Sequence, residues 1–237
     1  QDNLNGTERA IGFNINAIPD EQFEIVHSLA KWKRHALSKY RIPTGKGIYT
    51  DMNALRADEA TLSSGIHSVY VDQWDWEKAI LPEQRKLSYL RETVDKIYTV
   101  LKQVEQDLFL SYDIEPILPK RIHFIHSEEL YQRYPDLSPK EREDRICQEH
   151  KAVFLIGIGS KLPDGHPHDG RAPDYDDWVT PTEDGYRGLN GDILVWNPIL
   201  NRSFELSSMG IRVDKNALLT QLNISNCWDR SALEWHR

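Results

Sequence analysis

The sequence of 237 residues predicts an α+β fold in which an antiparallel sheet is flanked by helices. Two stretches, 54–77 and 192–213, are typical of strand, turn and returning strand. Between them, apolar residues spaced by three and four predict a long amphipathic helix over about 82–110. Hairpins pair their strands antiparallel, and an apolar helix face needs a sheet or another helix to cover it. Together these observations favour one sheet with helices packed on it.

Composition and charge narrow the classes of function. The formal net charge is −8, and no block of lysine and arginine stands out, which argues against a general nucleic-acid surface. A bound anion would therefore need a local positive pocket. No stretch is apolar enough to span a membrane, and no signal peptide is visible. Cys147 and Cys227 are too few for a disulfide framework, so we expect two reduced thiols and a cytoplasmic protein.

The first elements follow from apolar spacing. Ile11, Phe13 and Ile15 alternate with small residues and predict a short strand that turns at Pro19-Asp20. Residues 21–40 are then predicted to be helical. His27 and Lys33 fall in or beside the apolar stripe of this helix. We expect His27 to be a core histidine with a satisfied nitrogen, whereas an ammonium such as Lys33 near a buried face needs an anionic partner.

The stretch 54–77 carries the most information. Leu55 and Arg56 close its first strand, a polar loop covers 57–65, and alternation resumes at His67. One face of the returning strand would carry Val69, Val71, Gln73, Asp75 and Glu77, and the other Ser68, Tyr70, Asp72, Trp74 and Trp76. Buried carboxylates and amides require partners. The alternative is an amphipathic hairpin whose polar face is exposed to solvent and has no functional role.

The middle of the chain is predicted to form helices and strands that support the fold. We predict, in order, a turn at 43–47, the helix at 82–110, a strand at 122–125, a helix at 127–134, a helix that begins with a capping box at Ser138, and a buried strand at 152–158. Residues 82–150 therefore form a mainly helical segment.

The stretch 159–191 is rich in Gly, Pro, Asp and His, and a loop of this length is usually functional or disordered. His166-Pro-His168-Asp169 could suggest a metal. We favour a polar loop, because zinc needs three or four converging ligands and no matching partner is evident. Asp174-Tyr-Asp-Asp177 places three acids in four residues, either as solvated surface or as part of a site.

A second hairpin is predicted from Asp192–Trp196 and Ser203–Val213, turned at Asn197-Pro198. Asp192 and Glu205 would flank it. Two carboxylates there suit magnesium, which takes one or two such groups plus phosphate oxygens, although two exposed acids at a hairpin mouth would look the same. Ser207-Ser-Met-Gly210 interrupts the apolar pattern, where a bulge would let a hydroxyl reach into a site.

Five blocks together resemble the AMP-forming asparagine synthetase (aspartate–ammonia ligase) family, which has the class II aminoacyl-tRNA synthetase fold. The blocks are residues 1–4, 27–34, 54–77, 171–178 and 188–214, and 54–77 resembles motif 2 of that fold. The resemblance implies synthesis of L-asparagine from L-aspartate, ammonia and ATP through β-aspartyl-AMP, with release of AMP and pyrophosphate. It also implies Mg2+ as the metal.

The resemblance assigns roles to matching residues. It implies that Asp2 binds ammonium and that Arg56 holds the α-phosphate, with Gln73 near the reacting carboxyl. Aspartate would be held by Lys33, Asp176 and Ser208, with Ser28 and Asp75. Asp192 and Glu205 would bind magnesium and nucleotide, and His67 and Tyr70 would line the adenine and phosphate side.

Motif 1, which builds the dimer in this fold, and the glycine-rich motif 3 are not found in the sequence. We therefore expect a single catalytic domain over 1–237, truncated at both ends relative to the family, and a homodimer at full length. We expect no nucleic acid and no membrane as partners. Two alternatives stay open: an aspartyl-tRNA synthetase-like adenylating module, and a non-catalytic remnant that binds aspartate or nucleotide.

Overall fold

The computed structural model describes residues 8–58 and 66–229. The chain divides into two compact units, one of Gln1–Pro82 with Trp228–Arg237 and the other of Glu83–Cys227. The first unit contains, in order, β1 (Ile11–Ile15), β2 (Ile18–Ile25), α1 (Ala30–Lys39), β3 (Gly47–Leu55) and β4 (Tyr70–Lys78). Its strands form two antiparallel pairs, β1 with β2 and β3 with β4.

The predicted turn at Pro19-Asp20 and the predicted helix start at Glu21 are wrong. The chain stays extended through Ile25, both residues of the predicted turn lie within β2, and α1 begins only at Ala30. The rings of Phe13 and Phe23 stack across β1 and β2, 5.8 Å between centroids. Phe23 therefore packs against β1. The spacing that suggested one helix joined residues of β2 to residues of α1 across the four residues that separate them.

The hairpin of β3 and β4 follows the predicted alternation. Its register runs without a break from Gly47 opposite Lys78 to Leu55 opposite Tyr70. The face with Tyr49 and Trp74 is exposed, whereas residues on the other face are half-buried or buried. The predicted turn before β3 is present, and Gly45 adopts a φ of 83° in it, a conformation that glycine tolerates best.

The second unit holds the remaining elements. After a 3-10 turn at Pro82–Gln84 these are α2 (Leu87–Tyr112), β5 (His123–His126), α3 (Ser127–Arg133), α4 (Pro139–His150), β6 (Ala152–Ile156), β7 (Asn190–Asn197), β8 (Arg202–Gly210) and α5 (Lys215–Ser225). The strands form one sheet in the order β5-β6-β7-β8. β5 and β6 are parallel, and the other two pairs are antiparallel. The parallel pair is a difference from the expected sheet.

The core of this unit lies under α3 and α4. Every residue of β6 is buried, as the continuous apolar run predicted. Ile125, Leu130 and Ile146 pack with it in one cluster. α4 begins with the predicted capping box, in which the Ser138 side chain accepts from the Glu141 backbone N–H and the Glu141 carboxylate accepts from the Ser138 N–H.

The long connection between β6 and β7 is largely built into this unit. Trp178 is 3% exposed and Asp177 is fully buried. Isolated bridges join Lys161 to Pro167 and Pro181 to Arg187, so the segment is folded rather than extended over the surface. Cys147 and Cys227 are both free thiols, as predicted. Among the described helices, none combines the length and apolar character that crossing a membrane requires.

Candidate functional site

Lys33 is the centre of a polar cluster in the first unit. Its side chain is fully buried. The ammonium Nζ lies 2.8 Å from Asp75 Oδ2 and 2.9 Å from Thr50 Oγ1. Thr50 and Asp75 are opposite each other in the β3–β4 register, so the hairpin delivers both acceptors to one helix residue. The expected anionic partner of Lys33 is therefore a residue of the chain itself.

Two predicted site residues close to this cluster in sequence present unsatisfied polar atoms. Gln73 lies on the same face of β4 as Asp75, and its Oε1 is buried. Arg56 follows β3 directly, its backbone N–H donating to Val69 O at 2.8 Å. Within residues 8–58 and 66–229, neither Gln73 Oε1 nor Arg56 Nε has a hydrogen-bond partner. An unsatisfied buried group of this kind costs about 1–3 kcal/mol, which a ligand can recover.

Tyr70 and His67 are placed differently from this set. Tyr70 is 54% exposed and lies on the face of β4 opposite Gln73 and Asp75, because successive strand residues point to opposite sides. His67 is exposed in the segment before β4. The structure does not bring either of them to the Lys33 cluster. Asp2 lies outside the described residues.

Ser28 and His27 are both buried just before α1. Ser28 Oγ accepts from the Ala30 backbone N–H at 3.0 Å and so stabilises the first turn of the helix. In the described part of the chain, neither ring nitrogen of His27 has a hydrogen-bond partner. His27 is thus a core histidine, as expected, but the hydrogen bond that we expected at one of its ring nitrogens is not present among the described residues.

In the second unit, a bulge gathers three predicted residues on one face. Asp192 of β7 is directly opposite Ser208 of β8. Ser208 and Glu205 are three positions apart, which in a regular strand would put them on opposite faces. The register shifts between Ile193 and Leu194, so that Leu206 is the extra residue. Glu205 consequently falls on the face of Asp192 and Ser208. A bulge was predicted in this strand, but its predicted position within Ser207–Gly210 is wrong, because the register leaves Leu206 as the extra residue.

Arg171 neutralises Asp192. Its Nη2 lies 2.5 Å from both carboxylate oxygens of Asp192, which is 3% exposed. Burial raises the pKa of Asp192, and the guanidinium and a hydrogen bond from Ser208 oppose that rise. Burial also raises the pKa of Glu205, to about 7, with Asp192 adding to the effect. The negative charge of Asp192 thus disfavours ionisation of Glu205.

Glu205 gives a pH prediction. An acid whose pKa is higher in the folded state binds its proton more tightly there, so its contribution to stability is greatest below the ordinary value of 4.5 and is lost as pH rises to about 7. Because Glu205 is only partly buried and stays accessible to solvent, we expect a loss of stability of only about 1 kcal/mol. Urea unfolding at pH 4.5 and 7.5 should show Glu205→Gln losing less stability than the wild type. Equal losses in both proteins would contradict the raised pKa.

Asp176 is held by contacts from α5 and from the segment that follows β8. It is 6% exposed, and Arg212 Nη1 donates to its Oδ1 at 2.7 Å. Its backbone carbonyl accepts from Gln221 Nε2 at 3.0 Å. Asp177, next in sequence, has a structural role, since its carboxylate accepts from the backbone of Thr180 and from Arg85. The acid-rich segment is therefore buried rather than solvated surface.

Sequence reasoning missed the cationic partners in this unit. Arg171 and Arg212 lie within two of the five sequence blocks, but nothing local shows that they pair with Asp192 and Asp176. His168 is predicted to lie in a polar loop, whereas the structure buries it with Nε2 3.0 Å from Glu143 Oε1. Among the described residues, no group of three or more His, Cys, Asp or Glu has the arrangement of a metal site.

Comparisons with known proteins extend these observations. The family model described as aspartate-ammonia ligase matches residues 1–237. The structure is similar to asparaginyl-tRNA synthetase from Entamoeba histolytica in complex with asparaginyl-adenylate, with a TM-score of 0.63, 10% identity, and 100% of this chain and 52% of that chain covered. It is also similar to aspartyl-tRNA synthetase from the same organism, with a TM-score of 0.60, 14% identity, and coverage of 89% and 43%.

The chain thus spans about half the length of these synthetases. At such low identity the structural similarity establishes the fold, and it confirms the predicted class II synthetase-like architecture. The family match is independent of it, covers both units, and confirms the family proposed from the five sequence blocks. The chain belongs to the aspartate-ammonia ligase family, which is a family of enzymes.

Proposed function

We propose that this protein makes L-asparagine from L-aspartate, ammonia and ATP through β-aspartyl-AMP, with release of AMP and pyrophosphate. The observation that carries the proposal is the family match over all of residues 1–237. A carboxylate does not react with ammonia in neutral water, because it lacks a leaving group. Transfer of AMP to the side-chain carboxylate provides one, and two anions must be brought together for that transfer.

In the first unit, Arg56 and Lys33 would offset the negative charge of the two anions that AMP transfer brings together. Arg56 would hold the α-phosphate, since a planar guanidinium binds phosphate oxygens in pairs. Lys33 would bind a carboxylate of aspartate, with Asp75 and Thr50 fixing the direction of its ammonium. Gln73, whose Oε1 is unsatisfied in the described chain, would hydrogen-bond near the reacting carboxyl. Ser28 would assist from its buried position.

In the second unit, Asp176 would bind the α-ammonium of aspartate, and Ser208 would hydrogen-bond to the same substrate. Arg212 keeps the Asp176 carboxylate oriented at 2.7 Å. Asp2 would bind ammonium and take up the proton that releases ammonia. We further propose that His67 and Tyr70 line the nucleotide side, a role that depends on ATP being bound, because neither lies in the Lys33 cluster.

Mg2+ fits the donor set of Asp192 and Glu205 in part. Both oxygens of Asp192 contact Arg171, so Glu205 is the carboxylate that remains open to a cation. Burial raises the pKa of Glu205 most and the charge of Asp192 adds to it, and a divalent cation bound there would favour the ionised carboxylate. Magnesium, when bound, supplies positive charge that offsets the triphosphate. Arg171 would share that task from the same face.

The test is aspartate-dependent exchange of pyrophosphate into ATP, run first without and then with ammonium. We expect exchange with aspartate alone, and asparagine with equimolar AMP only after ammonium is added. Arg56→Lys keeps the charge but loses the paired geometry, and should reduce exchange by about 100-fold. A folded chain that binds aspartate and ATP without exchange would overturn the proposal, as would transfer of aspartate to tRNA in place of asparagine formation.

Gly210→Ala should damage aspartate binding. A Cβ at Gly210 would lie 2.7 Å from both Asn190 Cβ and Asp176 Cγ and 2.8 Å from Asp176 Oδ1, so the Asp176 carboxylate must move, together with the neighbouring part of β7. A displacement of this kind at a binding group can cost about 100-fold. We expect kcat/KM for aspartate to fall by about 10- to 100-fold with little change in KM for ATP. Gly170→Ala is the control, because nothing lies within 4 Å of its added Cβ; an equal loss in both variants would contradict the assignment.

We also propose that the two units together form one catalytic domain, since the family match runs through both. A homodimer would be the working form. The negative net charge supports substrates other than nucleic acid. The two free buried thiols support a reducing compartment such as the cytoplasm. Analytical ultracentrifugation tests the dimer by measuring the mass of the particle in solution, and a particle with the mass of one chain would contradict it.

A further inference from the structure

A cavity in the second unit lies apart from the residues assigned above. It has a volume of about 640 Å³, within the range of small-molecule sites. It is lined by part of the β6–β7 connection and by one side of α5, and the lining includes Lys161, Trp178, Val179, Arg187, Asp214, Thr220 and Ile224. None of the predicted substrate, nucleotide or metal residues belongs to this lining.

The lining combines an apolar floor with cationic side chains. Trp178, Val179 and Ile224 provide apolar surface, and Ile224 is 53% exposed at the cavity edge. Lys161 and Arg187 contribute two cations against the single acid Asp214. Asp214 caps α5 through the Ala217 N–H. The lining thus carries two positive charges and one negative charge in a chain whose formal net charge is −8.

The cations remain available to a ligand. Within residues 8–58 and 66–229, neither Lys161 nor Arg187 forms an ion pair, and Arg187 Nη1 donates to the backbone of Val179 at 3.1 Å. Trp178 is 3% exposed, and its indole Nε1 has no acceptor in the described chain. The two exposed cations, rather than the buried indole, are therefore the groups that an anionic ligand can reach.

The wall of the cavity is connected to Asp176 by one buried side chain. Gln221 of α5 is fully buried. Its Oε1 accepts from the Trp178 N–H at 2.8 Å, and its Nε2 donates to the carbonyls of Pro173 and Asp176 at 2.9 and 3.0 Å. Any shift of α5 or Trp178 on filling the cavity is therefore transmitted to the backbone on both sides of Asp176.

From this arrangement we infer that the cavity is a second binding site, for a small organic anion with an apolar body, and that its occupant stabilises the segment that carries Asp176. The carboxylate or sulfonate of the ligand pairs with Lys161 and Arg187. Its apolar body covers Trp178 and Val179. Neither part of the inference depends on the reaction proposed above.

The test uses anilinonaphthalene sulfonate as the probe, followed by its fluorescence with the folded chain. We expect saturable binding that Lys161→Glu weakens by about tenfold. Lys120→Glu makes the same charge change at an exposed residue outside the lining and should leave binding unchanged. Thr220→Trp places a large side chain at the cavity and should also weaken binding. Equal affinity in all four proteins would overturn the site.

Two further measurements separate the parts of the inference. Naphthoate should displace the probe, whereas sodium sulfate at equal concentration should not; displacement by both would overturn the requirement for an apolar body. Hydrogen exchange of backbone amides in 173–181 should slow by about threefold or more when the probe is bound. Unchanged exchange with a saturated cavity would overturn the link to Asp176, and faster exchange would overturn its direction.

Discussion

Replacement of Lys33 by Met should lower kcat/KM for aspartate by at least about 100-fold and reduce the free energy of unfolding by about 2–3 kcal/mol. Lys33 is fully buried, and its ammonium is 2.8 Å from Asp75 and 2.9 Å from Thr50. Without it, Asp75 keeps a carboxylate whose side chain is only 25% exposed and has lost its countercharge. Urea unfolding and steady-state kinetics measure the two effects.

Two further variants identify the cause. Lys46→Met removes an exposed lysine from the turn before β3 and should change neither quantity measurably. Lys33→Met with Asp75→Asn should recover part of the stability, because the uncompensated charge is gone, but not the activity. A Lys33→Met protein with wild-type activity would remove Lys33 from the proposed site.

Arg171→Ala should be the most destabilising of the single changes considered, at about 3 kcal/mol. It leaves the Asp192 carboxylate, 3% exposed, without the guanidinium that contacts both its oxygens at 2.5 Å. Asp192→Asn should cost less, since the Arg171 side chain is 16% exposed and can turn toward water. Thermal and urea unfolding compare the two variants directly.

The double variant measures the coupling between these charges. Arg171→Ala with Asp192→Asn should be more stable than Arg171→Ala alone by about 1–2 kcal/mol. Arg145→Ala, an exposed arginine of α4, is the matched control and should lie within about 0.5 kcal/mol of the wild type. Strictly additive losses would contradict the ion pair. All variants that lack Arg171 or Asp192 should lose pyrophosphate exchange.

Much of the hairpin and of the helical segment follows from local patterns. The alternation in β4 is enough to place Gln73 and Asp75 on one face and Tyr70 on the other, and the capping box locates the start of α4 at Ser138. The error at residues 21–29 has a local cause as well. A strand and a helix separated by only four residues place two periods side by side, and the helical spacing was extended across the boundary.

The sequence by itself determined the family, the faces of the β3–β4 hairpin and the start of α4, because these depend on neighbouring residues and on motifs readable along the chain. The tertiary structure decided which charges meet. Arg171 and Asp192 are 21 residues apart, Asp176 and Arg212 are 36 apart, and Lys33 and Asp75 are 42 apart. A bulge at Leu206 then decided that Glu205 faces Asp192. Such pairings depend on register and burial, which no local pattern encodes.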